Sequence, residues 1–198
     1  LDETKNIVGA FHQPKGVLID INTLQTLPQR RIAEGLAEAV KMAACFDAEL
    51  FEIFEKQDIS LDNIEQVIVA SLKIKKKVVE QDEREAGLRK ILNFGHTLGH
   101  GIEGSQDEFF HGECVAIGML PMCSDAVRPR LEAVLKKLGL PTKYDGDMEA
   151  ALKLVAHDKK ASNGNIDAVV LEDIGMSKLS VLKNSSSNEF FKTLSLLI

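Results

Sequence analysis

Cysteine is scarce in this sequence, and the few that occur form no recognisable pair. Cys45, Cys114 and Cys123 are widely spaced without a CxxC motif, which favours reduced thiols in a cytoplasmic protein. No signal peptide is visible in this sequence, and no apolar run approaches the roughly 20 residues needed to cross a bilayer. With 30 acidic against 24 basic residues, a surface for nucleic acid is disfavoured. We therefore expect neither nucleic acid nor a membrane among the partners.

Motifs of several common enzyme classes are missing as well. The absence of GxSxG disfavours a serine hydrolase, and neither GxGxxG nor a Walker sequence marks a nucleotide-binding domain. Cys114 lies beside Glu113, but packing in the core is more typical of such a cysteine than nucleophilic catalysis. The chain begins at Leu1 rather than at methionine, so we expect it to be a piece of a longer protein.

The most informative stretch is residues 92–113, which reads LNFGHTLGHGIEGSQDEFFHGE. It contains three of the five histidines of the chain, His96, His100 and His111, and four glycines before His111. Glycine costs about 1 kcal/mol in a helix interior, so this many in a helical pattern indicate that a ligand or another backbone comes close. On a helix, His96 and His100 would share one face, and His111 would return from a loop or the next element.

Histidine nitrogen and carboxylate oxygen together are typical ligands of zinc, and a catalytic zinc keeps one position open. Four carboxylates lie nearby in sequence and one lies far away: Glu103, Asp107, Glu108, Glu113 and Glu38. Spacing alone does not choose among them. Two structural histidines with one exposed histidine are the alternative to a metal site.

Apolar periodicity predicts a chain of about seven helices with three or four short strands. The predicted helices are 30–41 (extending toward Cys45), 47–56, a segment opening at Asp62 or Asn63, 115–122, 130–138, 148–157 and 189–198. The predicted strands are 17–21, as a buried strand, and 166–171 with 179–182 as its hairpin partner. Turns are predicted at 163–164 and 184–188, and a loop or helix break at 82–89.

Two charged features have ordinary explanations on this basis. Glu38 lies one place off the apolar stripe of Ile32 and Leu36, so helix periodicity predicts a solvated surface residue. The four lysines within residues 73–77 cover most of a helical turn, which is typical of a solvated face. The alternative is that one of these lysines holds an anion.

Five segments resemble the 3-dehydroquinate synthase family, in that family's order and spacing. They are KNIVGAFHQP (5–14), GLAEAVK (35–41), DEREAGLR (82–89), LNFGHTLGHGIE (92–103) and HGECVAIGM (111–119). DKK (158–160) and the strand-like segment after it resemble the family too, so the match spans nearly the whole chain. The pair GHTLGH and HGE, with GLAEAVK upstream, is highly specific to the sugar-phosphate cyclase superfamily.

The resemblance implies a mainly α fold, the multi-helix C-terminal domain of the dehydroquinate synthase-like fold with a few short strands. Residues 1–28 would be a remnant of the family's N-terminal nucleotide-binding lobe, which is otherwise missing, and 29–198 the helical metal- and substrate-binding domain. The implied reaction converts 3-deoxy-D-arabino-heptulosonate 7-phosphate to 3-dehydroquinate and phosphate in the shikimate pathway. It uses transient oxidation by NAD and a divalent metal, Zn²⁺ or Co²⁺. A cytoplasmic homodimer is implied for the full-length enzyme, and this chain alone is expected to be inactive.

The resemblance also implies roles for individual residues. Glu38, His96 and His111 would bind the metal, which overrides the solvated interpretation of Glu38. The substrate would be contacted by His100, Lys41, Lys75, Glu85, Arg89, Asn93 and one of Lys159 and Lys160, with Lys159 favoured. The cofactor would be contacted by Lys5, Asn6, Thr23 and Thr26.

Three alternatives stay open. Another sugar-phosphate cyclase, of the 2-deoxy-scyllo-inosose or valiolone type, would share the metal ligands, although Asn93 and His100 resemble the dehydroquinate type. A non-catalytic metal-binding domain is the second alternative, since the NAD lobe is missing. An alcohol dehydrogenase of similar build is the third, and it is disfavoured because Lys41, Lys75, Arg89 and Lys159 suit a phosphorylated acid better than a simple alcohol.

Overall fold

The computed structural model of the chain describes residues 9, 10, 12, 14–158 and 165–183. Seven α-helices and one β-hairpin form the regular structure of this part, which confirms the mainly helical fold. The helices are α1 Gln29–Phe46, α2 Ala48–Lys56, α3 Ile64–Gln81, α4 His96–Ser105, α5 His111–Met119, α6 Arg128–Lys137 and α7 Met148–Asp158. The strands are β1 Asn165–Asp173 and β2 Met176–Lys183, and 3₁₀ helices span Ile21–Thr26, Leu88–Asn93 and Leu120–Met122.

The helix boundaries follow from local signals in the sequence. Asp47 caps α2, where its side chain accepts a hydrogen bond from the Leu50 amide at 2.9 Å, as a helix N-cap does. Gly139 follows the end of α6 with a φ of +75°, a conformation that glycine adopts without strain. Pro121 lies in the 3₁₀ turn that follows the end of α5, where a proline ends or kinks a helix.

The predicted buried strand at 17–21 is wrong. Residues 17–20 have no regular structure, and Val17 and Leu18 are 74% and 96% exposed. A 3₁₀ helix begins at Ile21, and Asp20 caps it by accepting a hydrogen bond from the Asn22 amide at 3.0 Å. A strand needs a neighbour to pair with, and the sheet in the described part of the chain consists of β1 and β2.

The hairpin predicted near the C-terminus is confirmed. β1 and β2 are antiparallel, with Val169 opposite Leu179, and Gly175 at the turn has a φ of +79°. The predicted turns at 163–164 and 184–188 and the predicted helix at 189–198 lie outside the described residues.

Helix α5 lies at the centre of the packing, because its two sides belong to two apolar clusters. Val115, Ala116 and Met119 pack with α1, α2, α6 and the hairpin. Cys114 and Ile117 pack against α4 and α7 in a second cluster. All three cysteines are buried as free thiols. In the part that the structure describes, no helix combines the length and apolarity that a membrane crossing requires.

The glycines of residues 92–113 allow backbones to approach each other. A Cβ atom added to Gly95 would lie 2.7 Å from the Val115 carbonyl oxygen, and one added to Gly99 would lie 3.1 Å from the Cys114 carbonyl oxygen. Gly95 itself has a φ of +78° directly before α4. A close approach of another backbone, one of the two explanations that the sequence left open, is thus present at these positions.

Candidate active site

Three imidazole rings meet where α4 and α5 begin. The ring centroids of His96 and His100 are 5.2 Å apart, those of His96 and His111 are 5.2 Å apart, and those of His100 and His111 are 5.7 Å apart. The four-residue spacing places His96 and His100 on one face of α4, as predicted, and the close contact between α4 and α5 brings His111 to the same place. One nitrogen from each ring lies within 4.8 Å of the others, so the three could share a metal ion.

Glu38 reaches this cluster from α1. Its Oε1 atom lies 3.6 Å from Nε2 of His96 and 3.9 Å from Nε2 of His111. That oxygen is buried and has no hydrogen-bond partner, whereas Oε2 accepts a hydrogen bond from Lys41 Nζ at 2.6 Å. The fully solvated position that helix periodicity predicts for Glu38 is therefore wrong: its side chain is 36% exposed, but Oε1 is buried beside His96 and His111.

The hydrogen bonds of the two histidines decide which ring nitrogen is available. His96 Nδ1 lies 3.2 Å from the Phe94 carbonyl oxygen, and His111 Nδ1 lies 2.9 Å from Oε2 of Glu103. A carbonyl or a carboxylate can only accept, so Nδ1 carries the proton and Nε2 of the neutral ring presents a lone pair. Two nitrogen atoms with lone pairs therefore lie 3.6 Å and 3.9 Å from the unpartnered Glu38 oxygen.

This donor set fits a divalent metal. Zinc binds histidine nitrogen and carboxylate oxygen at about 2.0–2.2 Å, which places tetrahedral ligand atoms about 3.4 Å apart, close to the distances between Glu38 and the two rings. An oxygen acceptor left without a hydrogen bond is costly when buried, and a cation at this point would remove that cost. Of the carboxylates that the sequence left open, Glu38 has the unpartnered oxygen, Glu103 holds His111 Nδ1, and Glu113 pairs with Arg30.

Electrostatics prepare these groups for a metal. Burial and then the Lys41 ammonium lower the pKa of His96 to about 4, so the ring is neutral at pH 7, the form that binds metals. Burial alone would raise the pKa of Glu38, but Lys41 holds the pKa of this carboxyl below its usual value. The carboxylate is therefore ionised at neutral pH.

A cavity of about 370 Å³ opens beside Glu38 and His96. Its lining combines three cationic side chains with polar groups and few apolar ones: Glu38, Lys41, Met42, Lys75, Glu85, Arg89, Leu92, Asn93 and His96. Five of these, besides Glu38 and His96, were singled out from the sequence as substrate-contacting residues. The structure brings all five together in one cavity.

Asp82 shapes the loop that carries two of these residues. Its carboxylate accepts hydrogen bonds from the amides of Ala86, Gly87 and Arg89 at 2.8–2.9 Å, and these bonds lower the pKa of Asp82. Within this loop Glu85 has a φ of +59°, and its Oε1 accepts a hydrogen bond from Asn93 Nδ2 at 2.6 Å. The sequence interpretation missed Asp82, although an aspartate before a short polar loop is a recognisable turn signal.

The structure places the lysines of residues 73–77 in different surroundings, which correspond to the two explanations given for them, a solvated face and an anion contact. Lys75 lines the cavity, whereas Lys76 is paired with Glu80 at 3.7 Å on the exposed side of α3. The geometry therefore supports one lysine of this group as an anion contact and leaves its neighbour on the solvated face.

Other predicted residues are not brought to the cavity by the described part of the chain. Thr23 and Thr26 lie in the first 3₁₀ helix, where their hydroxyl groups donate to the carbonyl oxygens of Asp20 and Thr23. Lys5, Asn6 and Lys159 lie outside the described residues. The roles of all five stay predictions.

Known proteins resemble this chain in both sequence and structure. The family model described as 3-dehydroquinate synthase C-terminal matches residues 35–161, and the one described as 3-dehydroquinate synthase N-terminal matches residues 1–34. The 3-dehydroquinate synthase of Campylobacter concisus is 41% identical over 197 residues, covering 93% of this chain and 56% of that protein. That of Enterococcus faecalis is 42% identical over 204 residues, covering 95% and 57%. The chain thus spans a little over half the length of these relatives.

Solved structures share the fold. 2-epi-5-epi-valiolone synthase from Streptomyces hygroscopicus, with NAD⁺ and Zn²⁺ bound, has a TM-score of 0.82 at 25% identity, covering 100% of this chain and 59% of that one. 2-deoxy-scyllo-inosose synthase, complexed with carbaglucose-6-phosphate, NAD⁺ and Co²⁺, has a TM-score of 0.78 at 24% identity, covering 93% and 58%. With a C-terminal family model matched over residues 35–161, the chain belongs to the 3-dehydroquinate synthase family.

Proposed function

We propose that this chain is the metal- and substrate-binding part of a 3-dehydroquinate synthase, a phosphorus–oxygen lyase of the shikimate pathway. The enzyme would convert 3-deoxy-D-arabino-heptulosonate 7-phosphate to 3-dehydroquinate and phosphate. One observation carries this proposal: the unpartnered Glu38 oxygen and two imidazole nitrogens converge at the edge of a cavity that presents three cationic side chains. A phosphorylated sugar acid needs both features.

Glu38, His96 and His111 would hold the metal, Zn²⁺ or Co²⁺, the ions present in two of the solved cyclases. When bound, a divalent metal of this kind supplies Lewis acidity that lowers the pKa of a coordinated hydroxyl group. Lys41 would orient the Glu38 carboxylate, because its hydrogen bond to Oε2 leaves Oε1 as the ligand atom. The His100 ring, 5.2 Å from that of His96, would contact the substrate rather than the metal.

The cavity would bind the anionic groups of the substrate. Lys41, Lys75 and Arg89 offer cations of the kind that binds carboxylate and phosphate, and Lys159 would add a fourth. Asn93 and Glu85, joined by a hydrogen bond, offer a donor and an acceptor to hydroxyl groups. Because Glu85 already accepts from Asn93, the two side chains present one fixed pair to the substrate.

NAD would be held mainly by the N-terminal lobe, of which residues 1–28 would be a remnant, with Lys5, Asn6, Thr23 and Thr26 at the edge of its site. The nicotinamide supplies transient hydride acceptance with no net redox change. We expect the 198 residues alone not to turn over, and the full-length enzyme to act as a cytoplasmic homodimer.

The experiment that tests the metal site is metal analysis after equilibration of the chain with Zn²⁺. We expect one Zn²⁺ per chain in the unaltered protein and loss of stoichiometric zinc in Glu38→Ala and in His111→Ala. His100→Ala is the matched control, since its ring lies in the same cluster but is not a proposed ligand, and it should retain zinc. Zinc retained by Glu38→Ala and lost by His100→Ala would instead assign the three histidines as the ligands.

Another sugar-phosphate cyclase activity is the alternative, since the solved structures with this fold include such enzymes. Full-length enzyme would be assayed with 3-deoxy-D-arabino-heptulosonate 7-phosphate and, separately, with glucose 6-phosphate. Turnover of the heptulosonate alone is expected. Turnover of glucose 6-phosphate alone would replace the proposed reaction by that of a 2-deoxy-scyllo-inosose synthase.

A further inference from the structure

We propose that Arg30, Phe110 and Glu113 form a clamp between α1 and α5 that positions His111 relative to Glu38. This α1–α5 clamp rests on the proposed metal site, because its purpose would be to fix the distance between two of the three ligands. None of its residues touches the cavity or the converging ligand atoms, so they are positioning residues.

The ion pair at the centre of the clamp is bidentate and unusually well buried on one side. Arg30 Nε lies 2.6 Å from Glu113 Oε1, and Arg30 Nη2 lies 2.7 Å from Glu113 Oε2. The Glu113 side chain is only 7% exposed. The Arg30 side chain is 49% exposed, so the cost of removing it comes from the largely buried Glu113 carboxylate that would lose its cation. The two parallel hydrogen bonds hold the beginnings of α1 and α5 at a defined distance.

The same groups also fix the segment that leads into His111. Glu113 Oε2 accepts a hydrogen bond from the Phe110 amide at 2.8 Å, and Arg30 Nη2 donates to the Glu108 carbonyl oxygen at 2.7 Å. The guanidinium carbons of Arg30 and Arg31 lie 4.3 Å and 3.4 Å from the centroid of the Phe110 ring. His111, the residue directly after Phe110, therefore starts α5 from a backbone held on both sides.

The backbones of α1 and α5 also approach each other closely near the clamp. A Cβ atom added to Gly112 would lie 2.1 Å from the Glu34 carbonyl oxygen, so the first turn of α5 rests directly on α1. Arg30, Glu34 and Glu38 follow each other at intervals of four and share one face of α1. The face that presents the proposed ligand Glu38 is thus the face that holds α5 in place.

A metal site needs this precision, since ligand positions must be held within about 0.5 Å of the productive geometry. Residues that orient metal ligands typically contribute about 10- to 100-fold in metal affinity. Arg30 suits this task because its planar fork fixes two bonds at once, which a lysine ammonium cannot do.

The test compares two ion pairs of the same geometry in this chain. Arg130 of α6 makes a bidentate pair with Glu55, with both distances 2.8 Å, and neither residue belongs to the cavity beside Glu38. Zn²⁺ dissociation constants would be measured by chelator competition on the metal-free protein for the unaltered chain, Arg30→Lys, Arg30→Gln and Arg130→Gln. Urea unfolding of the same proteins would give their stabilities.

We expect Arg30→Gln to weaken Zn²⁺ binding about 10- to 100-fold and Arg30→Lys to weaken it less, while Arg130→Gln leaves it unchanged. Co²⁺ bound to Arg30→Lys, the milder variant, should show an altered visible absorption spectrum, because the ligand geometry changes. Equal Zn²⁺ affinity and an unaltered Co²⁺ spectrum in the Arg30 variants would overturn the clamp and leave the metal site intact. Failure of the unaltered chain to bind Zn²⁺ would overturn both.

Discussion

Glu103 holds the imidazole of His111 through its Nδ1 nitrogen, with 2.9 Å between that nitrogen and Oε2 of the carboxylate. The two residues come from different helices, α4 and α5, and lie eight positions apart in the sequence. A carboxylate that accepts from one histidine nitrogen directs the other nitrogen toward the metal and increases its basicity. Glu103 thus supports the proposed metal site without being one of its ligands.

Replacing Glu103 should therefore weaken metal binding. We expect Glu103→Ala to reduce Zn²⁺ affinity about 10- to 100-fold, and Glu103→Gln to reduce it less because its amide oxygen can still accept from Nδ1. Chelator competition measures both effects. Glu149→Ala is the control, since this carboxylate is exposed and pairs with Lys153 on α7. Full Zn²⁺ affinity in Glu103→Ala would contradict the role assigned to this hydrogen bond.

Lys75 and Lys76 offer a matched pair for testing the cavity. In full-length enzyme, we expect Lys75→Met to raise KM for the phosphorylated substrate about 10- to 100-fold, the effect of losing a charge-assisted hydrogen bond worth roughly 1.5–3 kcal/mol. Lys76→Met should leave KM unchanged, because Lys76 pairs with Glu80 away from the cavity. Steady-state kinetics gives both values. An equal rise in KM in the two variants would indicate a general effect of charge on α3.

Asp82 should give the loop at 82–89 a defined dependence on pH. The bonds from the amides of Arg89, Gly87 and Ala86 hold the pKa of Asp82 below its ordinary value of 3.8. The unfolded state therefore binds the proton first, and the stabilisation is complete above pH 3.8 and is lost as the pH falls through the lower pKa of the folded state. The free energy of unfolding of the unaltered chain should exceed that of Asp82→Asn by a constant amount from pH 7 to 5.

That difference should shrink below pH 3.8, which urea unfolding across this range would show. Asp58→Asn serves as the control, because the Asp58 side chain is 95% exposed and its removal should matter little at any pH. A difference for Asp82→Asn that stays constant down to pH 2 would contradict the assignment. In full-length enzyme, Asp82→Asn should also raise KM, since Glu85 and Arg89 depend on this loop.

Two glycines should respond to alanine in opposite directions. Gly118→Ala places a Cβ where the Gly95 carbonyl oxygen lies, at 2.1 Å, and overpacking of this kind typically costs about 1–3 kcal/mol. Gly35 lies within α1 and has no neighbour within 4 Å of its added Cβ, so Gly35→Ala should stabilise the fold by about 0.5–1 kcal/mol. Thermal or urea unfolding of the two variants checks both signs. A stable Gly118→Ala would show that α4 and α5 can separate without cost.

The local sequence pattern is sufficient to predict structural features that depend only on residues close together in the sequence. The intervals of four along α1, the cap at Asp47 and the hairpin around Gly175 all follow from residues within one turn or one strand pair, and the structure has them. The same holds for His96 and His100, which share a helix face because of their spacing.

Features that depend on contacts between segments distant in the sequence cannot be predicted from the local sequence pattern. The run at 17–21 has the composition of a buried strand, but a strand exists only where a second segment pairs with it, and the described part of the chain provides none. Helix periodicity predicts Glu38 to be a surface residue, because it does not contain the contacts of its carboxylate with His96 of α4 and His111 of α5. The contacts of Glu103 with His111 and of Arg30 with Glu113 join residues on different helices, and periodicity says nothing about such pairs.

Helix α1 runs without interruption from Gln29 to Phe46, while the two family models meet between residues 34 and 35. The junction between the two family regions is therefore a rigid rod about 27 Å long rather than a flexible linker. Glu38 lies in the middle of this helix and approaches His96 and His111 at 3.6 Å and 3.9 Å. A bend or turn of α1 would therefore also change the distances between the proposed metal ligands.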